Sequence, residues 1–222
     1  MTLCRPGFAV LIVAGLFVAA TAQRAAAQDR EFAFGIGYGH LLWEGSNVGP
    51  LEEHGGLVLD GRLTWAVTPD AAPGRPELRV GFGVDLSFYI SQDNDGEVTI
   101  INGVAFVTGS DYTSLSVLAP QAEVSLRLPI FDEHWYVEPG VAGVFMVGHY
   151  TQGEDFFWFV DEDENEWRVG GGGKAFLRIA YTKDDWSIGA EGSYSYGWLD
   201  FGHHIGGEIQ QAYLGLFYAH KF

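Results

Sequence analysis

The sequence predicts an all-β protein: an eight-stranded antiparallel up-and-down transmembrane barrel with both termini on one side. Three observations lead there. Apolar residues recur at every second position in eight separate segments, which is the period of a strand. The connections between those segments alternate short and long. The 222 residues hold 31 glycines and 15% aromatics at a mean hydropathy of only +0.06, with no long apolar run beyond the N-terminus. A barrel that meets hydrocarbon outside and its own side chains inside spreads its apolar residues in this way.

The N-terminus reads as a secretory signal. Arg5 supplies a positive start, and Phe8 to Ala20 is an apolar run too short for a spanning helix. Ala25-Ala26-Ala27 fits a cleavage site before Gln28, and Ala20-Thr21-Ala22 is a second candidate. Residues 1–27 are therefore expected to be removed, leaving residues 28–222 as one barrel domain. Cys4 is the only cysteine and would leave with the signal, so the mature chain needs no disulfide. Cleavage leaves 10 bases against 29 acids, a balance of −19. Such a chain repels nucleic acid.

The segments follow in order. The first, near Glu31 to Leu42, sets Phe32, Phe34, Ile36 and Tyr38 against Ala33, Gly35, Gly37 and Gly39. The second, near Leu57 to Thr68, sets Leu57, Leu59, Leu63 and Trp65 against Val58, Asp60, Arg62 and Thr64. The third, Glu77 to Ser91, is the clearest: Leu78, Val80, Phe82, Val84, Leu86, Phe88 and Ile90 all share one side. Val98 to Thr108, in the loop after it, extends the same hairpin. The fourth alternates well over Gln121 to Leu128 but is out of phase before Pro120, which predicts a bulge or kink there. The fifth, Trp135 to His149, is weaker because Val144 and Met146 fall on the inner side. A long acidic loop is expected up to Glu166. The sixth runs from Trp167 to Tyr181 and the seventh from Trp186 to Trp198.

The last segment, Glu208 to Phe222, alternates to its final residue. A closing strand that ends on an aromatic resembles the last strand of bacterial outer-membrane β-barrels. The whole mature region is similar to the small OmpA/OmpX/OmpW-type barrels in length, signal and strand rhythm. The resemblance implies an outer-membrane location and a monomer. It also implies short turns in the periplasm, long loops outside, and Phe222 as the signal read by the barrel assembly machinery.

An eight-stranded barrel has an interior just wide enough for side chains. Seven of the twelve Lys and Arg fall on the inner side: Arg62, Arg79, Arg127, Arg168, Lys174, Arg178 and Lys221. Asp60, Asp85, Glu123, Glu138 and Glu191 share it. Charges so enclosed must pair, and the inner glycines leave room for them. The same faces on a soluble sandwich would be solvated, but they would not be filled with glycine. Aromatics sort to the strand ends on the other side. Phe32, Trp65, Tyr181, Trp186 and Phe222 lie at the terminal end, and Tyr38, Phe88, Trp167, Tyr196 and Trp198 at the opposite one. These are the two interfacial girdles of a membrane barrel.

The expected outer loops carry sixteen acids and no Lys or Arg. Asp93, Asp95 and Glu97, with Asp161, Glu162, Asp163 and Glu164, are the densest groups. A rim of one sign attracts cations and could reach lipopolysaccharide phosphates through divalent ions, or simply keep the surface solvated. Asp93-Asn94-Asp95-Gly96-Glu97 matches a calcium loop only in part. His203-His204 with His149 and His54 could make a metal site, but neighbouring strand residues face opposite ways. No cofactor is expected. The last hairpin resembles that of the lipid A deacylases, whose His-x-Ser matches Ser193-Tyr194-Ser195 here. The histidine is missing, and an unactivated serine is a weak nucleophile. The sequence therefore points to a non-enzymatic barrel with a charge-filled interior, in a structural or surface-interaction role. A narrow pore for small cationic or apolar solutes is the alternative.

Overall fold

The computed structural model describes residues 30–44, 53–67, 75–93, 97–101, 104–108, 110–132, 134–156, 159–201 and 205–222. The expected signal, Asp95 and His203-His204 lie outside the described residues. Among the described residues ten strands form: β1 (Arg30–Glu44), β2 (Glu53–Ala66), β3 (Glu77–Asp93), β4 (Glu97–Ile101), β5 (Val104–Thr108), β6 (Ser110–Ile130), β7 (Trp135–Phe156), β8 (Phe159–Lys183), β9 (Trp186–Phe201) and β10 (Ile205–Lys221). Eight of them close a barrel in the order β1-β10-β9-β8-β7-β6-β3-β2, every neighbour antiparallel. Closure satisfies the backbone without leaving an edge in hydrocarbon.

The alternation decides which way each strand faces. On β3, Leu78, Phe82, Val84 and Ile90 are exposed, while Arg79, Asp85, Ser87 and Tyr89 are buried. The same inversion of a soluble protein's surface and core runs round the barrel. Phe34, Ile36, Leu214 and Leu216 are at least half exposed, and the largest fully buried side chains include Arg79 and Arg178. A face so apolar, with the charges turned inward, is built for a bilayer.

The seam between first and last strands runs without a register shift from Glu31↔Lys221 to Glu44↔Glu208. The Phe222 amide adds a bond to the Arg30 carbonyl at 3.0 Å. Near its middle Gly37 faces Gly215, and a Cβ on Gly37 would lie 2.4 Å from the Gly215 Cα. Glycine is required there by the approach of one backbone to another. At the terminal end, Phe131 (φ 62°) and Asp184 (φ 52°) make left-handed turns. Asp132 caps the first of them, accepting from the His134 amide at 2.8 Å and the Trp135 amide at 3.2 Å.

Three expectations are corrected. There is no bulge at Pro120. β6 is one strand whose register to β3 and β7 is constant on both sides of the proline, which is exposed on the outer face. The pattern changes because the inner side becomes apolar: Leu115, Val117 and Ala119 are buried on the same side as Gln121, Glu123, Ser125 and Arg127. Second, the acidic stretch after His149 is mostly strand. β7 and β8 pair out to Phe156↔Phe159, with one irregularity at Gln152/Gly153. Asp161, Glu162, Asp163 and Glu164 therefore lie within β8, Asp93 ends β3, and Glu97 opens β4. Third, β4 and β5 pair only with each other, as a separate two-stranded hairpin.

The wall is uneven in height. β6, β7 and β8 have 21, 22 and 25 residues, against roughly 9–11 for one bilayer crossing. β9 pairs with β8 only from Gly170 onward.

Candidate functional site

Among the described residues the lumen concentrates ionisable groups into ion pairs, and all but one of the network residues expected from sequence meet there. At the terminal end Arg127 on β6 reaches across to β1. Its two terminal nitrogens bond Glu31 at 3.0 and 2.9 Å, and its Nε bonds Glu138 at 2.8 Å. Arg79 stands 3.9 Å from the same Glu31, donates to Thr64 at 3.0 Å, and pairs closely with Glu77.

Arg178 is the centre. It bonds Glu123 at 2.7 and 2.9 Å, Glu138 at 3.0 Å and Glu191 at 2.7 Å. Arg62 then links Glu191, at 3.0 Å, to Asp60, at 2.9 Å. Lys174 links Glu191, at 3.1 Å, to Asp85, at 2.9 Å. Gln121 and Tyr213 donate to Asp85 and Asp60 at 2.9 and 3.1 Å. One connected network thus runs from Glu77 to Asp85.

Four cations of the network also cover a ring: Arg178 over Phe176 at 3.8 Å, Arg127 over Tyr136 at 4.0 Å, Arg62 over Phe217 at 4.4 Å and Lys174 over Tyr213 at 5.8 Å. The rings replace lost hydration. A buried network of this kind adds little over an apolar filling, but removal of one partner strands the rest.

Arg168 does not join. It is about two-fifths exposed, pairs with Glu166 at 3.1 Å and donates to the Trp167 carbonyl at 3.2 Å. Its inward parity holds, but it sits above the closed layers. Two acids were missed. Glu31 and Glu77 share the parity of Ala33 and Arg79, so alternation carried one residue further would have found them. The balance therefore reverses, to five cations (Arg62, Arg79, Arg127, Lys174, Arg178) among seven carboxylates (Glu31, Asp60, Glu77, Asp85, Glu123, Glu138, Glu191).

Beyond the ions, towards the end opposite the termini, the filling changes. Leu41, Tyr89, Leu115, Val117, Ala119, Val144, Met146, Tyr150, Leu199 and Ile209 form one buried cluster. The lumen is thus stacked, an ionic layer under an apolar one. Val144 and Met146, and the phase change before Pro120, are the sequence's signs of it.

The outer face carries the aromatic rings. At the terminal end Tyr181 lies between Trp135, at 5.4 Å, and Trp186, at 6.1 Å. At the far end Trp167 stacks on His149 at 4.3 Å, and Tyr38, Tyr196 and Trp198 are exposed. Tyr196 donates to Glu208 at 2.5 Å, and Tyr194 donates to Gln210. These polar pairs mark where the apolar band ends. Trp65 keeps its expected end and parity but differs in exposure. It is buried, 5.8 Å from Phe82 and clustered with Val80 and Val67.

Ser195 faces Lys174 across β8 and β9, and Lys174 is itself tied to Asp85 at 2.9 Å and Glu191 at 3.1 Å. Among the described residues no group of three His, Cys, Asp or Glu is placed to hold a metal ion.

No family model matches the chain, and no curated protein matches it in sequence. Solved structures do match in shape. Neisserial surface protein A superposes with a TM-score of 0.50 at 11% identity, over 87% of this chain and 97% of that one. The chain has its barrel fold. Ail of Yersinia pestis, solved with the heparin analogue sucrose octasulfate, gives 0.43 at 12% identity over 88% and 99% of the two chains. A major outer membrane protein of Thermus thermophilus gives 0.39 at 17% identity over 86% and 99%.

Proposed function

We propose that this is a non-enzymatic barrel of the bacterial outer membrane, closed to solutes, with a structural or surface-interaction role. The observation that carries it is the stacked lumen. An ionic layer in which Arg178 alone ties three carboxylates lies under an apolar layer, and both would oppose the passage of hydrated ions. Both termini and the short turns lie in the periplasm on this reading, so the taller wall of β6, β7 and β8 stands outside. Its acids, Asp161 to Glu164 among them, would draw divalent cations and, through them, lipopolysaccharide phosphates. Phe222, exposed at the end of the seam, would be the residue that the assembly machinery reads.

Planar-bilayer recording tests the reading. The purified, refolded barrel is expected to give no steady unit conductance in either polarity. Reproducible single-channel steps from the folded, heat-shifting species would overturn it in favour of a pore.

A further inference from the structure

Where the two layers of the lumen meet there is a cavity of about 20 Å³. Asp85, Tyr89, Lys174 and Gln211 line its polar side, and Val117 and Met146 its apolar side. Tyr89 is 1% exposed, and its hydroxyl, beside Ser87 and Gln211, makes no well-aligned hydrogen bond to the described residues. Lys174 carries three donors. It gives one to Asp85 at 2.9 Å and lies 3.1 Å from Glu191 Oε1, which makes no aligned hydrogen bond. A buried hydroxyl whose neighbours are poorly aligned is costly, so the site calls for a further partner.

We propose that this cavity is a binding site for one water molecule, held between the Tyr89 hydroxyl, the Lys174 ammonium and the Asp85 carboxylate. Size, charge and hydrogen bonding each select it. One water needs roughly 10–15 Å³ of such space, so an organic ligand does not fit. Seven carboxylates around five cations repel an anion, and the Lys174 ammonium in the wall repels a metal ion. Water is neutral. It accepts from Tyr89 or Lys174 and donates to Asp85 or to the Gln211 carbonyl oxygen. The apolar layer separates it from the far mouth, so it belongs to the fold and not to a conduction path. It also bridges β3 to β8, strands that share no backbone bonds.

Diffraction from the full barrel, at a resolution that shows other buried waters, tests this. A peak of water size within hydrogen-bond distance of Tyr89 Oη is expected, and Tyr89→Phe is expected to lose it while keeping the heat-shifted mobility of a folded barrel. Where Tyr89→Phe does not fold, Gln211→Leu is expected to lose the same peak. The proposal is overturned by an empty cavity in the unaltered protein, by a peak too large for water, or by a water that persists unchanged in the variant.

Discussion

Arg127 holds Glu31 through both terminal nitrogens, at 3.0 and 2.9 Å, across 96 positions of sequence. This is a bond across the lumen, because β1 and β6 are not neighbours in the barrel. Glu31→Gln removes the charge that Arg127 and Arg79 share. Breaking a buried pair from one side typically costs about 3–5 kcal/mol. The variant should unfold at lower urea in lipid or detergent, read by tryptophan fluorescence. An unchanged midpoint would show that Glu31 is solvated.

Arg178 should matter more than any other cation. Arg178→Met leaves Glu123, Glu138 and Glu191 without their shared partner, so its loss of stability should exceed that of Arg62→Met. Adding Glu123→Leu removes one of the stranded charges. The double variant should therefore regain about 1 kcal/mol or more over the single one, where independent sites would only add their losses.

Two glycines give a paired test of the packing. Gly37→Ala places a Cβ 2.4 Å from the Gly215 Cα, a backbone atom that cannot swing aside. About 1–3 kcal/mol should be lost. On the outer face, a Cβ on Gly192 meets nothing within 4 Å, and Gly192→Ala should be neutral or slightly stabilising. Equal effects in an unfolding titration would contradict this geometry.

Phe131 occupies left-handed backbone at φ 62° with its ring 94% exposed. A non-glycine residue there costs roughly 1–2 kcal/mol, and asparagine visits that region more readily. Phe131→Asn should raise stability in detergent by about 1 kcal/mol. If it lowers stability in lipid alone, the ring anchors in the bilayer.

Trp65 should behave unlike the other outer-face tryptophans. In single-tryptophan variants, brominated lipid should quench Trp135 and Trp198 several-fold more than Trp65, which Phe82 and Val80 cover. Equal quenching would return Trp65 to the girdle.

The sequence carries the barrel well, and the reason is physical. Period two forces every residue to one side or the other, so Leu78 to Ile90 alone orients β3 and what pairs with it. The same rule placed Glu123, Lys174 and Arg178 in the lumen. It failed where the two sides stop differing in polarity. On β6, Leu115, Val117 and Ala119 face inward and are as apolar as the lipid face, so a straight strand read as a kinked one. Strand ends were lost for a different reason. In the outer stretch of β7 and β8 the sequence is polar at both parities, so Asp161 to Glu164 read as loop. Arg168 has the right parity but the wrong depth, and alternation says nothing about depth. Glu31 was lost at a strand end, where one polar residue does not make a pattern.

The ionic layer draws on β1, β2, β3, β6, β7, β8 and β9, so no single hairpin can neutralise its own share. In an uncurled sheet Arg127 on β6 lies three strands from Glu31 on β1, and the two meet only when the wall curls enough to bring those strands face to face across the lumen. Partial insertion is thereby penalised, and the all-or-none route favoured, by the very ions that fill the finished cylinder.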